Sequence, residues 1–145
     1  MANSFRISNA AAKAMADTFD DQVNIGSTAS TIAILSCTQP ADPDTAASGT
    51  LLATLTFSDP AFGAASDGNP GGRLTASAIT DDSSADATNT AGYFRISATG
   101  TGADDVADGS VGTSGADLNF NTVSITSGST VSITSFTVTM AETEA

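Results

Sequence analysis

The chain has 145 residues, which suits one domain, and a formal charge of −12: four cations (Arg6, Lys13, Arg73, Arg95) against sixteen acids. Such an excess repels phosphate backbones and anionic lipid, so nucleic acid and membrane surfaces are excluded as direct partners and a basic protein surface is the compatible one. With no histidine and a single cysteine, Cys37, the chain lacks the usual general base, the usual metal ligand and any intramolecular disulfide.

Residues 1–30 lack the charged start and apolar stretch of a signal peptide, and no segment has the length of a membrane span. The first element is a helix from Ser8 to Gln22, with Ser8 or Asn9 available as its cap. Ala12, Met15, Ala16, Phe19 and Val23 recur on one face as a narrow apolar stripe. Its last turns carry Asp17, Asp20 and Asp21, where the helix dipole prefers cations, at a cost of a few tenths to about 1 kcal/mol each. The helix therefore needs packing, and docking on a sheet through Met15 and Phe19 is the expectation; the alternative is that the acids meet a basic partner.

Thr31–Thr38 reads as a strand, with Cys37 expected to be a small buried thiol within it. Gln39–Asp44 is a loop because two prolines remove donors and restrict the residues before them. Thr50–Phe57 is the second strand, with Leu51, Ala53, Leu55 and Phe57 on one face, and Ser58-Asp59-Pro60 ends it before a short pairing at Ala61-Phe62. Gly63–Gly72 is rich in glycine and small polar residues and predicts an exposed, mobile loop.

Leu74–Thr80 is a weaker strand and Thr90–Thr99 a strong one. In the latter Phe94 and Ile96 share one face, and Tyr93 and Arg95 the other, which is expected to point outward. After a turn over Gly100–Asp105, Asp108-Gly109 between Val106 and Val111 predicts a tight hairpin. The last stretch, Asp117–Met140, alternates apolar and Ser/Thr residues in two runs joined by Ser127-Gly128-Ser129, the pattern of an antiparallel ribbon. Its apolar parity changes between Ile133 and Phe136, which predicts a β-bulge near Thr134–Ser135. Some seven short strands predict a mainly β chain: an antiparallel β-sandwich, jelly-roll connections being one option, with one N-terminal helix. Residues 1–28 form the arm and helix, and 29–145 the sandwich.

Chemistry would fall to two acidic clusters, Asp81/Asp82/Asp86 and Asp104/Asp105/Asp108. Glycosidase carboxylates need a set separation and sugar sites need aromatic platforms, yet the chain has no tryptophan and one tyrosine. Calcium suits clustered carboxylates, and Asp104–Gly109 resembles the start of an EF-hand loop. Val106 and Gly115, however, stand where that loop requires oxygen ligands. Gly100-Thr-Gly102 lacks the lysine and helix of a phosphate loop. No enzyme activity, cofactor or metal is expected.

Several stretches resemble a family of small β-rich proteins encoded by tailed bacteriophages and prophages. They are Ala29–Ile34 with Thr38–Ala41, Gly49–Gly63 (GTLLATLTFSDPAFG), Ser84–Thr88 with Gly92–Ile96, Asp108–Leu118 (DGSVGTSGADL) and Val131–Val138. The resemblance runs through nearly the whole chain and implies a virion component of capsid-decoration (cement) type. It further implies major capsid protein or other virion proteins as partners, a homo-oligomer on the particle, and assembly in the bacterial host cytoplasm. A tail, neck or fibre subunit, or a calcium- or carbohydrate-binding adhesion module, are the competing expectations. The residues expected at an interface are Met15, Phe19, Asp20 and Asp21 of the helix, with outward Tyr93 and Arg95.

Overall fold

The structure, a computed structural model, describes residues 5–68, 71–100 and 104–142. Among them one helix, α1 (Asn9–Val23), precedes ten strands: β1 (Thr28–Ser36), β2 (Leu51–Phe57), β3 (Ser66–Asp67), β4 (Gly72–Thr75), β5 (Ile79–Thr80), β6 (Asn89–Thr99), β7 (Asp105–Gly112), β8 (Leu118–Asn119), β9 (Ser124–Ile125) and β10 (Thr137–Met140). The chain is thus mainly β with one N-terminal helix, as its alternation indicates. Seven strands form one sheet in the order β5-β2-β1-β6-β7-β8, with β9 also on β6, and three form a second, β10-β4-β3. Every pairing is antiparallel except β7 with β8.

The large sheet is built around its two most apolar strands. Ile32 of β1 lies opposite Ile96 of β6, and Ile34 opposite Phe94; on the other side Leu55 and Ala53 of β2 face the same isoleucines. Their shared face is the core. The register of β1 and β2 shifts after Ile34, so that Leu35 meets Leu51 and Leu52 is the extra residue. That irregularity turns both Leu52 and Ala53 inward and leaves Leu51 exposed, which corrects the simple alternation expected for this strand.

Five phenylalanines join the layers. Phe136, just before β10, stands edge-on to Phe94 of the large sheet at 5.5 Å and lies 6.2 Å from Phe57. Phe62 contacts Phe57 at 5.5 Å and Phe19 of α1 at 6.2 Å. Such pairs add about 0.5–1.5 kcal/mol each beyond area burial. The helix starts where expected: Ser8 Oγ accepts a hydrogen bond from the Ala11 amide at 3.2 Å. It lies on β4 and β10 through Ala12 and Ala16, both fully buried. The approach is close because β4 opens with Gly72, where a Cβ would run into the Ala12 carbonyl.

Five further expectations are corrected. The ribbon over Asp117–Met140 is not a hairpin: β9 pairs with β6, and β10 with β4. Its turn exists, with the Ser129 amide donating to Thr126 O at 3.0 Å, but Val131 then exchanges hydrogen bonds with Asp82. Alternating Ser/Thr strands fit any free edge, and these two runs found different ones. The parity change falls in an unpaired break between Ile133 and Phe136, both buried, without a bulge. Asp108-Gly109 is no turn either; it lies mid-β7, where the Phe94 ring occupies the space above Gly109. Leu74–Thr80 divides into β4 and β5, which serve different sheets. Finally, Gly63–Gly72 contains β3 and ends in two buried glycines; residues 69–70 lie outside the described residues, as do 101–103 of the expected turn after β6.

Candidate functional site

Among the described residues, the outer face of β6 carries a concentrated polar cluster. Tyr93 and Arg95 were expected to point to solvent; they are 0% and 3% exposed. Their parity is as expected, opposite to Phe94 and Ile96, but the segment from Cys37 to Thr50 folds over that face. Its ends are tied together, Ser36 N–H donating to Thr50 O at 3.0 Å and Thr50 N–H to Ser36 Oγ at 2.8 Å. Beneath it the Tyr93 hydroxyl donates to Ser48 O at 2.8 Å and accepts from Ser48 N–H at 3.0 Å.

Arg95 is gripped from three directions. Its Nε and Nη2 donate to the two oxygens of Asp108 at 2.6 and 2.8 Å, a bidentate pair between residues that lie directly opposite in the β6–β7 register. Nη1 donates to Asp105 Oδ2 at 2.9 Å, and Nη2 also reaches Thr45 O at 2.9 Å. Ser97 Oγ donates to the other oxygen of Asp105 at 2.5 Å. Hydrogen bonding to Asp108 raises the guanidinium pKa and outweighs the opposing effect of burial. The cluster therefore fixes the covering segment to the sheet, and its guanidinium is committed to internal partners. One of the four cations is withdrawn from the surface in this way together with the carboxylate of Asp108, so the buried pair leaves the net charge of −12 to the rest of the chain.

Several of the remaining aspartates act as clamps on backbone amides. Asp82 accepts from Thr54 N–H and Ser84 N–H, at 2.8 and 2.9 Å. Asp42 accepts from the Thr45 amide and hydroxyl, each at 2.8 Å. Asp17 accepts from Ala65 N–H at 2.8 Å, tying the helix to the segment before β3. Asp117 Oδ2 accepts from the Ser110 hydroxyl and amide at 2.7 and 2.8 Å, and these bonds hold its pKa below the ordinary 3.8. Both acidic clusters are thus partly spent: Asp105 and Asp108 on Arg95, Asp82 on the Thr54 amide of β2 and on its own loop at Ser84. Among the described residues no group of three or more His, Cys, Asp or Glu side chains converges as a metal site.

The helix residues fare differently from one another. Phe19 is half-buried against Phe62, as expected, but Met15 is 52% exposed and does not dock. Asp21 is exposed. Asp20 is half-buried; burial raises its pKa, while Asn24 Nδ2 donates to its Oδ1 at 2.6 Å. Cys37, expected to be buried, is exposed with φ +74°, because β1 ends one residue earlier and the chain turns there into the covering segment. None of this brings Tyr93 and Arg95 into one surface with the helix residues.

Two shallow depressions, the first of mixed polarity and the second apolar, meet at Phe19. One, of about 290 Å³, runs between β10 and β7 over Phe94, Ile96 and Phe136, with Asp117 on its rim. The other, of about 430 Å³, lies between Met15 and Met140. Sequence patterning marked Met15 and Phe19 but gave no sign of Asp117, Thr45 or Ser48, whose roles depend on which strand ends up beside them. No family model, curated protein or solved structure matches the chain. Among the described residues no helix is long and apolar enough to cross a membrane.

Proposed function

We propose that this protein is a non-enzymatic structural subunit of a tailed-phage particle, a capsid decoration protein that binds across contacts between major capsid subunits. The observation that supports this most is the use made of the ionisable groups. The candidate acid clusters are partly engaged within the fold, Asp82 on the amides of Thr54 and Ser84 and Asp105 and Asp108 on Arg95, whereas the chain as a whole keeps a strongly acidic, Ser/Thr-rich composition. Such a composition favours steered association with a basic protein lattice. The resemblance to small β-rich phage proteins points in the same direction. A tail or neck subunit would use the same surface at far fewer copies.

The test is reconstitution. Particles produced without this gene product should assemble but release DNA at lower temperature than complete ones. Purified protein added back should restore the difference, less effectively as salt is raised. Particles of equal heat stability with and without the protein would refute the cementing role.

A further inference from the structure

We propose that the outer edge of β10 is a receptor for an extended, basic segment of a neighbouring protein, which adds to the three-stranded sheet as a further strand and sets its apolar side chains into the groove between β10 and β7. The partner's place in a virion rests on the reading above; the binding edge itself rests on geometry.

The register decides which backbone groups are free. Ala76 N–H donates to Phe136 O at 2.9 Å, and the ladder continues with Val138 opposite Leu74 and Met140 opposite Gly72. In an antiparallel pair alternate residues exchange hydrogen bonds. Phe136, Val138 and Met140 therefore spend theirs on β4, while Thr137 and Thr139 turn their N–H and C=O groups the other way. β10 is the end strand of its sheet, so no strand of the described residues meets them there. The groove lies on that side, since Thr137–Thr139 line it and no residue of β4 does. The far wall differs, its outward amide at Ser110 being taken up by a side chain. Ser110 N–H donates to Asp117 rather than to β6, so β7 turns its Ser110 and Asp108 peptides outward as well.

The groove is shallow, with only the edges of the buried Phe94, Ile96 and Phe136 at its base, so the backbone of an added strand supplies most of the contact, a recurring mode of peptide recognition. Charge selects the occupant. A second copy of this chain would bring another −12 and only four cations, whereas a lysine or arginine of a partner meets Asp117 at the groove, with the chain's own Arg73 set one strand further back on β4.

Amide hydrogen exchange by NMR tests this on the full chain, with a synthetic peptide alternating valine and lysine and a counterpart alternating valine and glutamate. In the free protein Thr137 and Thr139 should exchange fast, and Val138 and Met140 slowly; the lysine peptide should slow the two threonines and the glutamate peptide should not. Thr139→Pro removes a donor that makes no internal ladder bond, and should weaken peptide binding roughly tenfold while the fold persists. Unchanged threonine exchange with the lysine peptide, or equal protection by both peptides, overturns the proposal; wild-type exchange decides it should the variant not fold. Protein bound to particles with Thr137 and Thr139 still exchanging fast would also overturn it, leaving the structural role intact. Protection by the lysine peptide with the protein absent from particles would support the edge and remove the role.

Discussion

Arg95→Met leaves Asp108 charged in a site where its side chain is 2% exposed, with its bidentate partner gone. Breaking a buried pair from one side costs about 3–5 kcal/mol, so urea unfolding should show a loss of that order. Asp105→Asn should cost much less, because that carboxylate is 40% exposed. Replacing both partners, Arg95→Met with Asp108→Leu, should recover much of the loss, since the penalty lies in the stranded charge. Equal effects at Asp105 and Asp108 would contradict this account of the cluster. Asp117 gives a pH prediction of definite sign. Its folded pKa lies below the ordinary 3.8, so its contribution is present above 3.8 and is lost as pH falls through the lower folded value. Asp117→Asn should flatten that part of the acid limb; an unchanged limb in a pH series of melting curves would count against it. Asp20 has the opposite sign, because burial raises its pKa and charging it opposes folding. Asp20→Asn should therefore raise Tm slightly at neutral pH and lose that advantage in acid.

The elements are joined by close approaches that only small residues permit. Gly72→Ala places a methyl against the Ala12 carbonyl of α1, backbone that cannot step aside without moving the helix. Overpacking of this kind costs about 1–3 kcal/mol, which a Tm measurement will register; a neutral result would mean that α1 is not seated on β4 as described. The strands whose apolar alternation is strongest, β1, β2 and β6, were legible in the sequence, as was α1 through Ser8 and its alanine stripe. Pairing was not. The runs before and after Ser127-Gly128-Ser129 each read as strand, and nothing in Ser/Thr alternation says that one belongs to β6 and the other to β4. Asp108-Gly109 carries a hairpin's local chemistry, but the sequence hides that Phe94 needs a glycine opposite and Arg95 a carboxylate. For the site, the parity of Tyr93 and Arg95 was readable and their burial was not, because burial comes from the distant segment between Cys37 and Thr50.

At the scale of the whole molecule, acidity is partly structural. Aspartates hold amides of the covering segment and of strands β2 and β7, and Arg95 is buried with Asp108 as a neutral pair, so the net charge of −12 falls to the rest of the chain. A chain so charged suits repeated contact with a basic lattice better than recognition of a small substrate, and the β10 edge supplies a place where backbone pairing adds register to charge. Quantitative mass spectrometry of purified particles tests the central claim most directly. A decoration protein should be present on the order of hundreds of copies per particle, in fixed ratio to the major capsid protein. About a dozen copies would move the chain to the neck or tail, and its absence from mature particles, with the protein free in the host cytosol, would contradict the account.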